Sequence, residues 1–206
     1  FLEVAPTTIS PGEGTTSQDN WHDIELAREQ DLNFGFTEVA ILEGNIGYLK
    51  LVEFMNPARG IDTAIAAMKF VENTHSLIID IRQNGGGYGG LAEYLVSYFF
   101  DEEPTLLSVT YFREIELTTQ QTYTYPFIVG KRRNEQPLFL LGDKKTGSAA
   151  EWFAYTLQVF NKGIVVGEAT AGAANRNSYF EVNQHLRLSI STGKPVSEAT
   201  KENWEG

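Results

Sequence analysis

Three times along this chain a short, almost wholly apolar run ends abruptly in a loop rich in glycine or polar residues. The runs cover residues 76–81, 137–141 and 163–167. The loops that follow are Asn84-Gly85-Gly86-Gly87, Gly142-Asp143-Lys144-Lys145-Thr146-Gly147 and Gly167-Glu168-Ala169-Thr170-Ala171-Gly172. A strand apolar on both faces must be covered on both faces, which is the condition of a strand in a parallel sheet flanked by helices. The first two loops run into apolar stretches of helical period, so strand and helix alternate, the pattern of an α/β fold. Such sheets place their sites in loops at the carboxyl ends of the strands.

The rest of the chain supports that class. Residues 36–43 and 46–54 read as two strands joined by a tight turn at Gly44-Asn45, a hairpin. Residues 58–72 carry Ile61, Ile65 and Met68 at spacings of four and three, one stripe of a helix. A second helix carries Leu91, Leu95 and Phe99, and a third is expected from Ser148 to Phe160. Residues 105–129 hold two β-rich segments dense in Thr, Tyr, Val and Phe. Residues 176–192 read as a hairpin turning near Asn183-Gln184. Pro6, Pro11, Gly12 and Gly14 suggest a loop or linker before Trp21. No internal repeat is evident.

The glycine loop has two readings. It is a flexible turn between strand and helix, or a backbone whose exposed N–H groups hold an oxyanion. The dinucleotide pattern is not met and no Lys-Ser/Thr follows, so nucleotide binding is set aside. Ser148 likewise has two readings. With Glu151 three residues on, it spells a capping box. At a helix N-terminus it is also where a nucleophile would find N–H groups for a developing oxyanion. His22, His75 and His185 show no spacing that ties them to Ser148, and each reads as a surface residue. No histidine pair at helical spacing supports a zinc site.

Composition excludes several classes. A formal net charge of -11 is unsuited to phosphate backbones. The one basic run, Lys131, Arg132 and Arg133, reads as a solvated turn. There is no cysteine, hence no disulfide, thiol nucleophile or thiolate metal site. No apolar stretch has the length of a membrane span. No cofactor or metal is expected, and nothing in the pattern bears on oligomeric state. The chain starts at Phe1 rather than Met and stops at Gly206 without a terminating element, so a piece of something longer is expected.

Taken together and in order, the loops resemble the tail-specific, or C-terminal processing, serine peptidase family. Asp80-Ile81-Arg82-Gln83-Asn84-Gly85-Gly86-Gly87 is similar to the family's Asp-Leu-Arg-x-Asn-(Gly/Pro)-Gly-Gly. Thr146-Gly147-Ser148-Ala149-Ala150-Glu151 is similar to its nucleophile segment, and residues 167–172 to its Gly-Glu-x-Thr-x-Gly. Gly44-Asn45-Ile46-Gly47-Tyr48-Leu49 resembles the entering strand, and Asn203-Trp204-Glu205-Gly206 the start of the closing motif. The resemblance implies a ClpP/crotonase-like fold of layered β-sheet with flanking helices, built from β-β-α repeats. It divides the chain into a linker or remnant over 1–35 and a peptidase core over 36–206, truncated at both ends.

For function, the resemblance implies a peptidase acting on peptide or protein substrates, outside the cytoplasm or in the cell envelope of a bacterium. Ser148 would be the nucleophile. The N–H groups of Gly86 or Gly87 and of Ala149 would form the oxyanion hole. The lysine that the Ser-Lys branch carries after the third motif is replaced by Ala173. The tricorn-like branch instead uses Ser, His and Glu, which puts Glu205 in the orienting role and leaves the histidine to a segment outside this chain. The piece alone is then expected to be weakly active or inactive. The branch closest in flavour also resembles modules of the interphotoreceptor retinoid-binding protein, so a non-catalytic module for an apolar ligand is the alternative.

Overall fold

The computed structural model describes residues 2–4, 16–113, 119–183 and 186–205. In chain order the elements are β1 (Leu2–Val4), α1 (Thr16–Asp31), β2 (Phe36–Leu42), β3 (Ile46–Leu51), α2 (Pro57–Phe70), β4 (Ser76–Asp80), α3 (Gly89–Val96), β5 (Leu106–Phe112), β6 (Thr119–Tyr123), β7 (Leu138–Gly142), α4 (Ala149–Val159), β8 (Ile164–Gly167), β9 (Arg176–Asn183) and β10 (Leu186–Ser197). They form two five-stranded sheets. The first has the order β2-β3-β4-β7-β8, antiparallel between β2 and β3 and parallel from β3 to β8. The second is antiparallel, with β10 pairing β1, β9 and β5, and β5 pairing β6.

The apolar runs earn their places by burial. Leu77, Ile79 and Ile81, in and just after β4, are buried, as are Leu138 and Leu140 of β7. Against them pack Ala64, Ala67 and Met68 of α2, Leu91 and Leu95 of α3, and Ala150, Phe153 and Leu157 of α4. Phe54 and Phe153 meet with ring centroids 5.5 Å apart beneath the glycine loop. Burying such side chains is worth about 1.5–3 kcal/mol each, so this layer contributes most of the stability. β8 closes one edge of the parallel sheet and leaves Ile164 and Val166 exposed.

Two expectations need correction. The stretch before Trp21 is helical from Thr16 onward, and α1 is tied down by Glu29, buried and paired with Arg59 through two hydrogen bonds. Pro6, Pro11, Gly12 and Gly14 lie outside the described residues, as do Gln184 of the expected hairpin turn and His185. The basic run is no solvated turn. Arg133 is buried and donates to Val71 O at 2.8 Å and Thr74 O at 3.2 Å, in the turn that follows α2. Arg132 donates to carbonyls of Ser97, Phe100, Tyr125 and Pro126. Lys131 donates to Asn73 Oδ1 at 2.9 Å. The run pins chain segments together.

Asp80 ends β4 fully buried. It accepts from Tyr48 Oη at 2.8 Å, Lys50 Nζ at 3.3 Å, Arg82 Nε at 2.9 Å and the Arg82 backbone N–H at 3.0 Å. Burial alone would raise its pKa, but the bonds from Arg82, then Tyr48 and Lys50, outweigh it and hold the carboxyl far below the usual range. The Tyr48 hydroxyl is pushed up to about 12, by burial first and by Asp80 second. A folded-state pKa below the unfolded value of about 3.9 contributes stability that is complete above that value. That stability is lost as pH falls through the folded value. Asp80→Asn should therefore cost about 3 kcal/mol at neutral pH, the low end for breaking a buried pair because Arg82 stays half exposed. It should also flatten the fall in stability below about pH 4. Denaturant melts at several pH values check both, and an unchanged slope would refute the assignment.

Candidate active site

Because β4, β7 and β8 are parallel, the three loops that follow them emerge along one edge of the sheet. Buried Asn84 welds the first to its surroundings. Its Nδ2 donates to Leu51 O at 2.9 Å, and its carbonyl accepts from Gly147 N at 2.9 Å. Thr146, also buried, donates through Oγ1 to Ile81 O at 3.0 Å and accepts at its carbonyl from Ala171 N at 2.9 Å. Asp143 accepts from the N–H groups of Gln83, Lys145 and Thr146, at 3.1, 3.0 and 3.1 Å. Burial acts to raise its pKa, and these bonds overcome that and lower it.

This frame presents Ser148 at the start of α4 with φ 53° and ψ −118°. A capping residue has extended backbone. Ser148 instead occupies a region that a side chain enters only at a cost of about 1–3 kcal/mol, of the kind found at functional turns. The same sharp strand-to-helix elbow exposes nucleophilic serines elsewhere, and Ser148 is exposed. The expected reach of Glu151 back to it is present, since Glu151 Oε2 accepts from Ser148 N at 2.8 Å. Glu151 does more than cap. Buried, it also accepts from Gly172 N at 2.6 Å and Ala173 N at 2.9 Å, so it ties the third loop to the elbow.

The glycine loop lies against that elbow. A β-carbon on Gly86 would stand 2.7 Å from Ser148 Cβ and 2.9 Å from Ala149 N. The N–H of Gly86 is not free, however. It donates to Asn84 Oδ1 at 2.9 Å, which corrects the expectation that Gly86 could supply an oxyanion donor. Gly87 differs. Its neighbours bridge to Phe54, through Phe54 N to Gly86 O at 2.8 Å and Tyr88 N to Phe54 O at 2.7 Å. Among the described residues, the N–H groups of Gly87 and Ala149 donate to no protein acceptor. Gly87, Ser148 and Ala149 together line a cavity of about 420 Å³.

The cavity is also walled by Glu93, Trp152, Ala174, Asn175, Arg176 and Trp204, among others. No histidine or lysine is among its described lining residues. His22 is exposed on α1, and His75 is exposed in the bend just before β4. The Ala173 N–H sits on the carboxylate that also holds Ser148 N, so the third loop passes close to the elbow without a basic side chain. Glu205 is held rather than loose, its Oε2 accepting from Ala174 N at 2.8 Å and Asn175 N at 3.0 Å. Beside it, Asn175 Oδ1, Asn203 Nδ2 and Trp204 Nε1 are buried without a protein partner. Sequence reasoning missed Asn84, Asp143 and Glu93. The first two sat in motifs already singled out. Glu93 carried no signal, being one acidic residue in an apolar helix.

The sequence profile of peptidase family S41 matches residues 45–205. The chain is 29% identical over 155 residues to the chloroplastic carboxyl-terminal-processing peptidase 1 of Arabidopsis thaliana, covering 74% of this chain and 30% of that protein. It spans about a third of the length of the curated relatives it matches. Among solved structures it is similar to the photosystem II D1 C-terminal processing protease, with TM-score 0.61, 18% identity, and 81% of this chain and 42% of that one covered. A lipoprotein from Streptococcus agalactiae shares the fold with TM-score 0.63 at 15% identity, covering 90% of this chain and 75% of that one. The layered α/β fold is the ClpP/crotonase-like arrangement expected from the sequence.

Proposed function

The chain belongs to peptidase family S41, and from that premise we propose that it carries the nucleophile and oxyanion hole of a serine peptidase. Ser148 Oγ attacks the scissile carbonyl and its proton passes to a base. The N–H groups of Gly87 and Ala149 bind the oxyanion that forms. Collapse of the tetrahedral species expels the amine, which takes the proton from that base, and water then releases the acyl group by the same route. The base is a histidine from a part of the protein outside this chain, oriented by Glu205, whose Oε1 has no protein partner among the described residues. The three buried, unpartnered polar atoms beside Glu205 are groups that such a segment would bond. The compartment implied by the resemblance, outside the bacterial cytoplasm, is part of the proposal. No described helix is long and apolar enough to cross a membrane.

The observation that carries this reading is the exposed serine at positive φ with two free N–H groups beside it. An apolar-ligand module gains no such support, since hydroxyls, a carboxylate and a guanidinium line the cavity. A fluorophosphonate probe should label the full-length protein, and the adduct should map to Ser148. An unlabelled protein, or an adduct on another serine, would overturn the assignment. This chain alone should hydrolyse peptides orders of magnitude more slowly than the full-length protein, because a serine hydroxyl is a weak nucleophile without a base. Equal rates would place the base within residues 1–206.

A further inference from the structure

Peptide-bond chemistry as proposed has no use for Glu93, yet among the described residues it is the one carboxylate in the cavity lining. It lies on α3, whose Leu91, Ala92 and Leu95 are buried in the core, so its position is set by the helix. Its Oε1 lies 3.7 Å from where a β-carbon on Gly89 would stand, an ordinary contact, and both residues line the cavity. Among the described residues its side chain accepts no hydrogen bond from the protein. Burial pushes its carboxyl up, and Arg176 pulls it part of the way back. A partly desolvated carboxylate with no hydrogen-bond donor is unfavourable until a cation arrives.

The surroundings suit one class of cation. The buried hydroxyl residues Ser108, Thr110 and Thr122 line the cavity and can accept further N–H groups. Trp152, its Nε1 donating to Ser108 Oγ at 3.4 Å, offers an aromatic wall for an alkyl stem or a guanidinium face. A net charge of -11 draws cationic peptides toward the protein. Arg176 is exposed at the cavity on β9, so its guanidinium can turn to solvent when another cation enters. We propose that this cavity is a side-chain subsite of the peptidase and that Glu93 makes it select lysine or arginine beside the scissile bond. The proposal rests on the reading of Ser148 as nucleophile.

Binding is the test, because it does not depend on turnover. Full-length Ser148→Ala protein is titrated with acetyl-Ala-Ala-Lys-Ala-Ala amide and with the same peptide carrying norleucine for lysine. We expect about tenfold tighter binding of the lysine peptide. The preference should vanish in the Glu93→Gln double variant and grow in the Arg176→Gln double variant, which keeps the test decisive if the first is poorly folded. Equal binding of the two peptides, or a preference unmoved by Glu93→Gln, overturns the subsite. Fluorophosphonate labelling of the parent separates the two claims. Labelling at Ser148 without a charge preference overturns the subsite alone, whereas an unlabelled protein overturns the nucleophile reading with it.

Discussion

Replacing Ser148 with glycine should produce a protein that is inert to fluorophosphonate and more stable than its parent. At φ 53° and ψ −118° any β-carbon is strained, by about 1–3 kcal/mol. Glycine occupies that region freely but adds unfolded-state entropy worth about 0.4–1 kcal/mol. The balance is a gain of about 1 kcal/mol, or about 2–4 °C in Tm for a chain of this size. Ser148→Ala keeps the strain and should be close to neutral. If Ser148 served mainly as a cap, alanine would cost about 1 kcal/mol and glycine a few tenths. Both variants should lose probe labelling, and in the full-length protein peptide hydrolysis should fall at least about a thousandfold. Calorimetry beside labelling checks the pair. A glycine variant that melts below the parent would remove the strain argument.

The second large effect is expected at the glycine loop, where two adjacent alanine substitutions should fail differently. A β-carbon on Gly87 would stand 2.2 Å from Phe54 O at a φ of +119°. The clash is with backbone held on both sides by the bridge to Gly86 and Tyr88, so the bridge must open. Gly87→Ala should cost more than about 3 kcal/mol, in the range reserved for backbone strain. On Gly86 the β-carbon meets Ser148 Cβ, Gly147 O and Ala149 N at 2.7, 2.8 and 2.9 Å, so relief comes by pushing the elbow away. Gly86→Ala should then lower the rate of Ser148 labelling by about a hundredfold, the effect of misplacing a reacting group by about 1 Å. Denaturant melts with labelling rates resolve the two. A Gly87→Ala protein within about 1 kcal/mol of the parent would show that the loop is not held against Phe54 as described.

Much of this was legible in the chain. The runs over 76–81 and 137–141 marked the central parallel strands by being apolar at nearly every position, although the structure fully buries one face, with Leu77, Ile79, Leu138 and Leu140, and only partly covers the other, with Ile78, Phe139 and Leu141. The loops at their ends were legible where the apolar runs stop. The letters Ser148 and Glu151 were legible too, but not their full sense. The capping box that they spell is present, and only the backbone angles add that Ser148 is also a strained elbow. What the chain concealed was contact across distance. Arg133 meets Val71 and Thr74 about sixty positions away, and no local pattern marks which carbonyls a distant guanidinium will reach. Glu93 faces a cavity only because Ser108 and Thr110 of β5 and Pro195 of β10 are brought over it.

The open edge of the parallel sheet bears on handling. β8 pairs only with β7 among the described residues, and Ile164 and Val166 on it are 58% and 47% exposed. The outer side of these four residues, unpaired and flanked by apolar side chains, forms a template for another strand. Expressed alone and concentrated, copies of this chain would meet through that edge, so recovery in the insoluble fraction should rise with expression level. Val166→Lys leaves the backbone pairing to β7 intact and sets a charge on the edge, the device by which natural sheets stay out of aggregates.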